Sequence, residues 1–335
     1  MAYWDFRVRK YATYIFLYKV VRANHFFLKF AYRKTTNYLI FMKRISFLRC
    51  IALLAIAIFV STVVSATEKA GCKIYNCVID GIERTYKLYL PENIQPNAPL
   101  VFVLHGYGGS FNLEEKGFNE AADRHGFAVC YPQGSKDGRK KNCWNVGYPF
   151  QADMGVDDIS FMCKLAKKLQ KEHKLSRKNT FCTGMSNGGE MCYLLAYDRQ
   201  STFKAVAPIA GLTMEWMPKA YTRTRPIPLF EIHGTEDRTS EWTGDLENKG
   251  GWGAYIAVPD AVNYWVKRNG CKREVTENLP LKNSDSNQVV SHKYIDAKGG
   301  NEVWLYEIIG GGHTWGNKDL DTAEEIWKFF STFTE

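Results

Sequence analysis

From residue 73 onward the chain alternates short apolar runs with longer stretches of helical period. Residues 73–80 and 84–90 read as a strand pair broken at Gly81. In the second, Tyr86, Leu88 and Leu90 alternate with Lys87 and Tyr89, the period of a half-buried strand. Leu100-Val101-Phe102-Val103-Leu104 is apolar throughout, as expected of a strand covered on both faces. A short helix is predicted around 114–125 and a strand over 127–131, followed by a loop over 132–151 that holds Cys143-Trp144-Asn145. Ile159, Met162, Cys163, Ala166 and Leu169 then mark one face of a helix. Asp157 and Asp158 stand at its start, where acids suit the helix dipole.

A further short apolar run ends at Gly184, and helical spacing begins at once after Ser186. Strands are predicted at 203–208 and 228–232, a Trp- and Gly-rich segment over 234–257, a helix over 260–268, and strands at 288–296 and 302–309. The last helix carries Ala323, Ile326, Trp327, Phe330 and Phe333, with Thr322 and Glu325 placed as a capping box. Strands alternating with helices predict an α/β fold: one domain over 67–335, with a mostly parallel central sheet and helices on both faces.

The first 66 residues break this pattern. Met42-Lys43-Arg44, an uncharged run of 14 residues from Ile51 to Val64, and Val64-Ser65-Ala66 have the layout of a secretory signal peptide over 42–66. The run is short for a bilayer span, which needs about 20 residues. Residues 1–41 are aromatic and basic without clean period, and read as upstream or leader sequence with Met42 as the start. The rival reading is a long basic flank that turns the apolar run into an anchor. The expected location is therefore secreted or extracytoplasmic, with no stable membrane span in the mature chain.

Charge changes meaning once this segment is set aside. Residues 67–335 hold 33 Lys and Arg against 34 Asp and Glu, so the formal +9 belongs to the leader and argues nothing for nucleic acid. Eight of the nine cysteines lie in 67–335; an even number in an exported chain predicts disulfides, the pairing left open. Cys163, on an apolar helix face, also reads as a plain buried thiol. No Cys-x-x-Cys or His/Cys pair has metal-ligand spacing, and neither a metal nor another cofactor is expected.

Gly184-Met185-Ser186-Asn187-Gly188, between a strand and a helix, is a nucleophile-elbow pattern that leaves one serine on a sharp corner. A serine hydroxyl is a weak nucleophile near pH 7 and needs a base oriented by an acid. His313, after Gly310-Gly311-Gly312, and Asp237, in His233-Gly234-Thr235-Glu236-Asp237, each follow a predicted strand and stand in the chain order Ser, acid, His. Glu236 is the rival acid. His105-Gly106-Tyr107-Gly108-Gly109 suits an oxyanion loop, with donors expected from the N–H groups of Tyr107 and Asn187 and with His105 bracing the loop.

These motifs, with Cys143-Trp144, Asp157-Asp158-Ile159 and His313-Thr314-Trp315, resemble the secreted esterases of the polyhydroxybutyrate depolymerase and feruloyl esterase family, the LpqC-like branch of the α/β-hydrolases. The resemblance runs from about residue 86 to the last helix. It implies an α/β-hydrolase fold and a carboxylic-ester hydrolase in which Ser186, Asp237 and His313 are catalytic. It also implies an ester substrate, polysaccharide-linked or phenolic: feruloyl or acetyl groups on xylan, with polyhydroxybutyrate as the alternative. Trp144, Tyr107 and Trp315 are the expected substrate-binding aromatics. Two departures beside the expected pocket, the late Val258-Pro259 and Gly316 where relatives carry Pro, bear on substrate more than on reaction type. A non-catalytic extracellular carbohydrate-binding protein on the same fold is the reading from another class.

Overall fold

The computed structural model describes residues 71–335 apart from Arg199. The segment 42–66, read above as a signal peptide, and residues 1–41 lie outside the described residues. Twelve strands are described: β1 Gly71–Ile79, β2 Ile82–Leu90, β3 Leu100–Leu104, β4 Ala128–Pro132, β5 Ser135–Lys136, β6 Asn142–Cys143, β7 Thr180–Met185, β8 Ala205–Ile209, β9 Leu229–Gly234, β10 Arg273–Asn278, β11 Val289–Ile295 and β12 Val303–Ile308. The helices are α1 Phe118–His125, α2 Asp158–Glu172, α3 Asn187–Tyr197, α4 Trp216–Ala220, α5 Val258–Asn269 and α6 Thr322–Ser331.

Ten strands form one sheet in the order β1-β2-β4-β3-β7-β8-β9-β12-β11-β10. Every pairing from β4 through β12 is parallel, and hairpins add two antiparallel strands at each edge. This is the α/β-hydrolase architecture. The pleat explains the apolar run of β3: Leu100, Phe102 and Leu104 enter one core while Val101 and Val103 enter the other. The first core is closed by α2, α3 and α5 through Phe161, Leu165, Tyr193, Tyr197 and Trp265. The second is closed by α1 and α6 through Phe118, Phe329 and Phe330. No helix among the described residues is long and apolar enough to cross a membrane.

Several local expectations are corrected. The helix expected around 114–125 is divided at Gly117, whose φ of 88° ends a 3₁₀ turn (Glu114–Lys116) before α1 begins. The loop 132–151 contains the β5–β6 hairpin and a 3₁₀ turn at Pro149–Gln151. Strand β10, Arg-Glu-Val-Thr-Glu-Asn, escaped the pattern because an edge strand exposed on both faces needs no apolar alternation. Asp321, not Thr322, caps α6 by accepting from the Glu324 N–H, and the Thr322 hydroxyl instead donates to the Trp315 carbonyl at 2.8 Å. The eight cysteines, read as disulfide partners, are all free thiols here. Cys130, Cys143, Cys182 and Cys192 are buried as small apolar side chains, the last two with sulfurs 3.7 Å apart.

Candidate active site

Strand β7 delivers the chain to Ser186 at φ 57°, ψ −125°, a conformation that a residue with a Cβ adopts only when its surroundings hold it there. They do so from both sides: the Ser186 N–H donates to the Ile209 carbonyl at 2.8 Å, and the Ser186 carbonyl accepts from the Glu190 N–H at 2.9 Å. The corner is sharp because its glycines admit neighbouring backbone. A Cβ on Gly188 would stand 2.6 Å from the Leu104 carbonyl oxygen, and one on Gly184 would stand 2.8 Å from the Gly188 carbonyl carbon. The start of α3 aims its unsatisfied N–H groups at the region of Ser186, that of Asn187 among them.

Asp237 lies in the loop after β9, and His313 in the loop after β12, the neighbouring strand. His313 Nδ1 and Asp237 Oδ2 are 2.7 Å apart, so the expected acid and base are brought together. Glu236, the rival acid, is exposed. The other Asp237 oxygen accepts from the N–H groups of Thr239 and Ser240, each at 2.8 Å. Burial alone would raise the Asp237 carboxyl, but the hydrogen bond and charge of His313 and the two backbone donors outweigh it and hold it below its ordinary value. Thr239 and Ser240 also line a recess with Ser186, Tyr148, Glu190, Leu212 and Trp252, so the turn after Asp237 and Ser186 share one wall.

The loop after β3 supplies the third side. A Cβ on Gly106 would lie 3.3 Å from Ser186 Cβ and 3.9 Å from its Oγ, which measures how closely the loop passes the serine. Among the described residues no backbone acceptor takes the Tyr107 N–H. His105 is the brace the sequence suggests: its Nδ1 faces the Gly106 carbonyl at 2.8 Å, and its Nε2 accepts from the Gly134 N–H at 3.0 Å. Burial drives its pKa down to about 4, so the ring stays neutral.

Trp144 is a correction. Expected to face substrate, it is 0% exposed. Its indole N–H donates to the His105 carbonyl at 2.9 Å, and the Asn187 side chain takes its backbone at both ends, at 2.7 and 3.1 Å. It therefore ties the loop after β3 to the turn at Ser186 from beneath. Trp315 is also displaced from its expected role: it is partly buried against the core under α1, edge-on to Phe118, and does not line the recess. Tyr107 stays beside the recess, in an aromatic cluster with Tyr148, Phe150 and Trp252, its ring 5.4 Å from that of Trp252. Trp252 and Tyr148 are the aromatics that line the space next to Ser186.

Several site residues had no role in the sequence reading. Glu190 is a buried acid at the floor of the recess, hydrogen-bonded by the Tyr148 hydroxyl. The available signal was one acid inside an otherwise apolar helix that is buried on every side. Asp158, read as a dipole acid, is buried and pairs with Arg84 at 2.8 Å. Its second oxygen accepts from the Asn145 N–H at 2.8 Å, which anchors the segment beside Trp144.

Fold and site together define an α/β-hydrolase related to feruloyl-esterase-like and polyhydroxybutyrate-depolymerase-like enzymes. The family model described as "Esterase PHB depolymerase" matches residues 84–221. A bifunctional acetylxylan esterase/xylanase of Neocallimastix patriciarum is 25% identical over 76% of this chain, and feruloyl esterase B of Piromyces equi is 28% identical over 71%. The chain spans only 34% and 42% of the lengths of these two relatives. Among solved structures, acetyl xylan esterase from Aspergillus awamori superposes with a TM-score of 0.58 over 77% of this chain and 99% of its own, at 16% identity, a likeness of fold.

Proposed function

We propose that this protein is a serine carboxylic-ester hydrolase acting outside the cytoplasm on acyl groups of plant cell-wall polysaccharide. One observation carries the reading. Asp237 holds His313 with one carboxylate oxygen and, with the other, the turn that lines the recess containing Ser186. In this mechanism Ser186 Oγ attacks the ester carbonyl carbon while His313 Nε2 takes the hydroxyl proton. Asp237 keeps the ring in the tautomer with hydrogen on Nδ1 and stabilises the imidazolium. The N–H groups of Tyr107 and Asn187 receive the oxyanion, each worth about 3 kcal/mol in the transition state. His313 returns the proton to the departing alcohol; it then deprotonates a water that attacks the acyl-enzyme, releasing the acid and restoring Ser186.

The recess favours a small acyl group. It has about 10 Å³ of space, room for roughly one water, against the roughly 300–1,000 Å³ of pockets that enclose drug-sized ligands. Acetyl on xylan is therefore placed ahead of feruloyl. The second reading is polyester cleavage, supported by the family model that spans the elbow. A hydrolysis panel separates them: acetylated xylan and p-nitrophenyl acetate should turn over faster than methyl ferulate or amorphous polyhydroxybutyrate. A fluorophosphonate probe should label the protein and not its Ser186→Ala variant. An unlabelled wild-type protein would leave the fold as a non-catalytic carbohydrate binder. Export is tested by N-terminal sequencing of secreted protein, expected to begin at Thr67.

A further inference from the structure

Behind the acid lies a second, fully buried pair. Glu231 and His233 sit two residues apart on β9, and both side chains are 0% exposed. His233 Nδ1 is 2.8 Å from Glu231 Oε1; its Nε2 is 2.8 Å from the Ser240 carbonyl and 3.7 Å from Asp237 Oδ2. A carbonyl only accepts, so Nε2 carries a hydrogen, and the proton between Nδ1 and Glu231 belongs to the pair. Glu231 Oε1 is fixed in turn by the Gly211 N–H at 3.3 Å. The result is a chain of contacts, Glu231 to His233 to Asp237 to His313, running from the sheet interior to the site.

We propose that His233, backed by Glu231, is a positioning residue for the acid–base pair: it holds the Asp237 carboxylate and the turn after it in register with His313. Two links make the argument. The ring grips Ser240, whose N–H is itself bound to Asp237, so one contact fixes both the turn and the direction of the carboxylate. The ring also places positive character beside an anion that water cannot reach. Burial pulls the imidazole pKa down, but the hydrogen bond and charge of Glu231, the Ser240 carbonyl and Asp237 outweigh it and raise it. The other titratable groups near the pair are Tyr193, Cys192 and Glu190 on α3, Glu307 in register on β12, where it is engaged with His292, and His313 beyond Asp237. His233 touches no reacting atom in the proposed mechanism. The inference rests on the Asp237–His313 reading above.

The test uses the folded protein and its Glu231→Gln, Glu231→Asp and His233→Gln variants, each checked by thermal melting. In Glu231→Gln the His233 imidazole becomes neutral, and the Asp237 carboxylate beside His313 is less compensated. The rising limb of kcat/KM for p-nitrophenyl acetate should move up by about one pH unit, and kcat should fall by roughly tenfold with KM little changed. Glu231→Asp should restore part of both. A second readout does not need turnover, and its first half does not need a variant. In the wild-type protein, nitrogen-15 spectra should show both ring nitrogens of His233 protonated at neutral pH. In Glu231→Gln, the downfield proton of the His313–Asp237 hydrogen bond should shift. A folded Glu231→Gln with an unchanged pH profile or an unchanged downfield proton overturns the proposal, as does a wild-type His233 with one ring proton. Absence of Ser186-dependent hydrolysis overturns the esterase reading alone, and the spectra then decide this one.

Discussion

His313 Nδ1 meets Asp237 Oδ2 at 2.7 Å across 76 residues of chain, and the neighbouring Glu236 takes no part. The contact follows from topology: β9 and β12 are adjacent and parallel, so the loops at their carboxyl ends must be neighbours. Asp237→Asn should therefore lower kcat for p-nitrophenyl acetate by about 10³–10⁴, because an amide no longer holds the ring in the required tautomer. Glu236→Gln, altering an exposed side chain, should stay within about twofold of wild type. Steady-state kinetics on the two variants checks the assignment, and the reverse ranking would move the acid by one residue.

Trp144 joins the loop after β3 to the turn at Ser186 and is sealed from solvent. Trp144→Ala removes a fully buried indole together with its bond to His105, and should cost about 3–5 kcal/mol of stability. Where the variant still folds, kcat/KM for p-nitrophenyl acetate and for methyl ferulate should fall by similar factors. Urea unfolding and the two substrates read this directly; a loss confined to the ferulate would return the ring to the substrate wall.

What could be read from the chain and what could not divide along a physical line. The sharp turn at Ser186 and the meeting of Asp237 with His313 were legible because each depends on local chemistry: glycines where a Cβ would meet the Leu104 carbonyl, and polar residues placed just after apolar runs. The strands were legible where both faces are buried, as in β3, and illegible where neither is, as in β10. Burial of a polar group was the hidden quantity. Trp144 and Trp252 look alike in sequence, yet one is sealed under the loop after β3 and the other lines the recess. Asp158 reads as a helix-start acid until the fold brings Arg84 across 74 residues to meet it.

That buried pair gives a third prediction. Asp158→Ala should lower stability by about 3–5 kcal/mol, since it leaves the Arg84 guanidinium buried without its partner. It also frees the Asn145 N–H, so activity should fall through the Trp144 segment as well. Thermal melting of Asp158→Ala beside the double variant Asp158→Leu/Arg84→Met separates the terms: the double variant should recover stability, and a double variant as unstable as the single one would show that the ion pair is not the cause.

Trp252 sets the width of the recess. Its ring packs against Tyr107 and Tyr148 at 5.4 Å each, and removing it leaves those rings in place while opening the space beside Ser186. Trp252→Ala should raise the ratio of methyl ferulate to p-nitrophenyl acetate turnover, in kcat/KM, by about tenfold, the scale on which pocket shape discriminates apolar groups. The absolute rate on the acetate should change less, because Ser186, Asp237 and His313 are untouched. A ratio unmoved by the substitution would sink the small-acyl reading.

Glu190 makes stability depend on pH. Burial pushes its carboxyl up to about 8, against the hydrogen bonds of Tyr148 and Asn187 that favour the ionised form, while the charge of Glu231 pushes the same way as burial. In the unfolded chain an ordinary glutamate titrates near 4.3. Below that value both states are protonated and the full contribution is present. Between the two values the unfolded chain loses the proton while the folded protein keeps it, so stability falls by up to about 1.4 kcal/mol per pH unit. Above about 8 both are ionised and the loss stops growing. Glu190→Gln keeps an oxygen for the Tyr148 hydroxyl and cannot ionise, and other titrating groups cancel when the two proteins are compared. The difference in urea midpoint between variant and wild type should therefore grow in favour of the variant from about pH 5 to about pH 8 and then level off. A difference that stays flat across that window would mean Glu190 is ionised in the folded protein from the start.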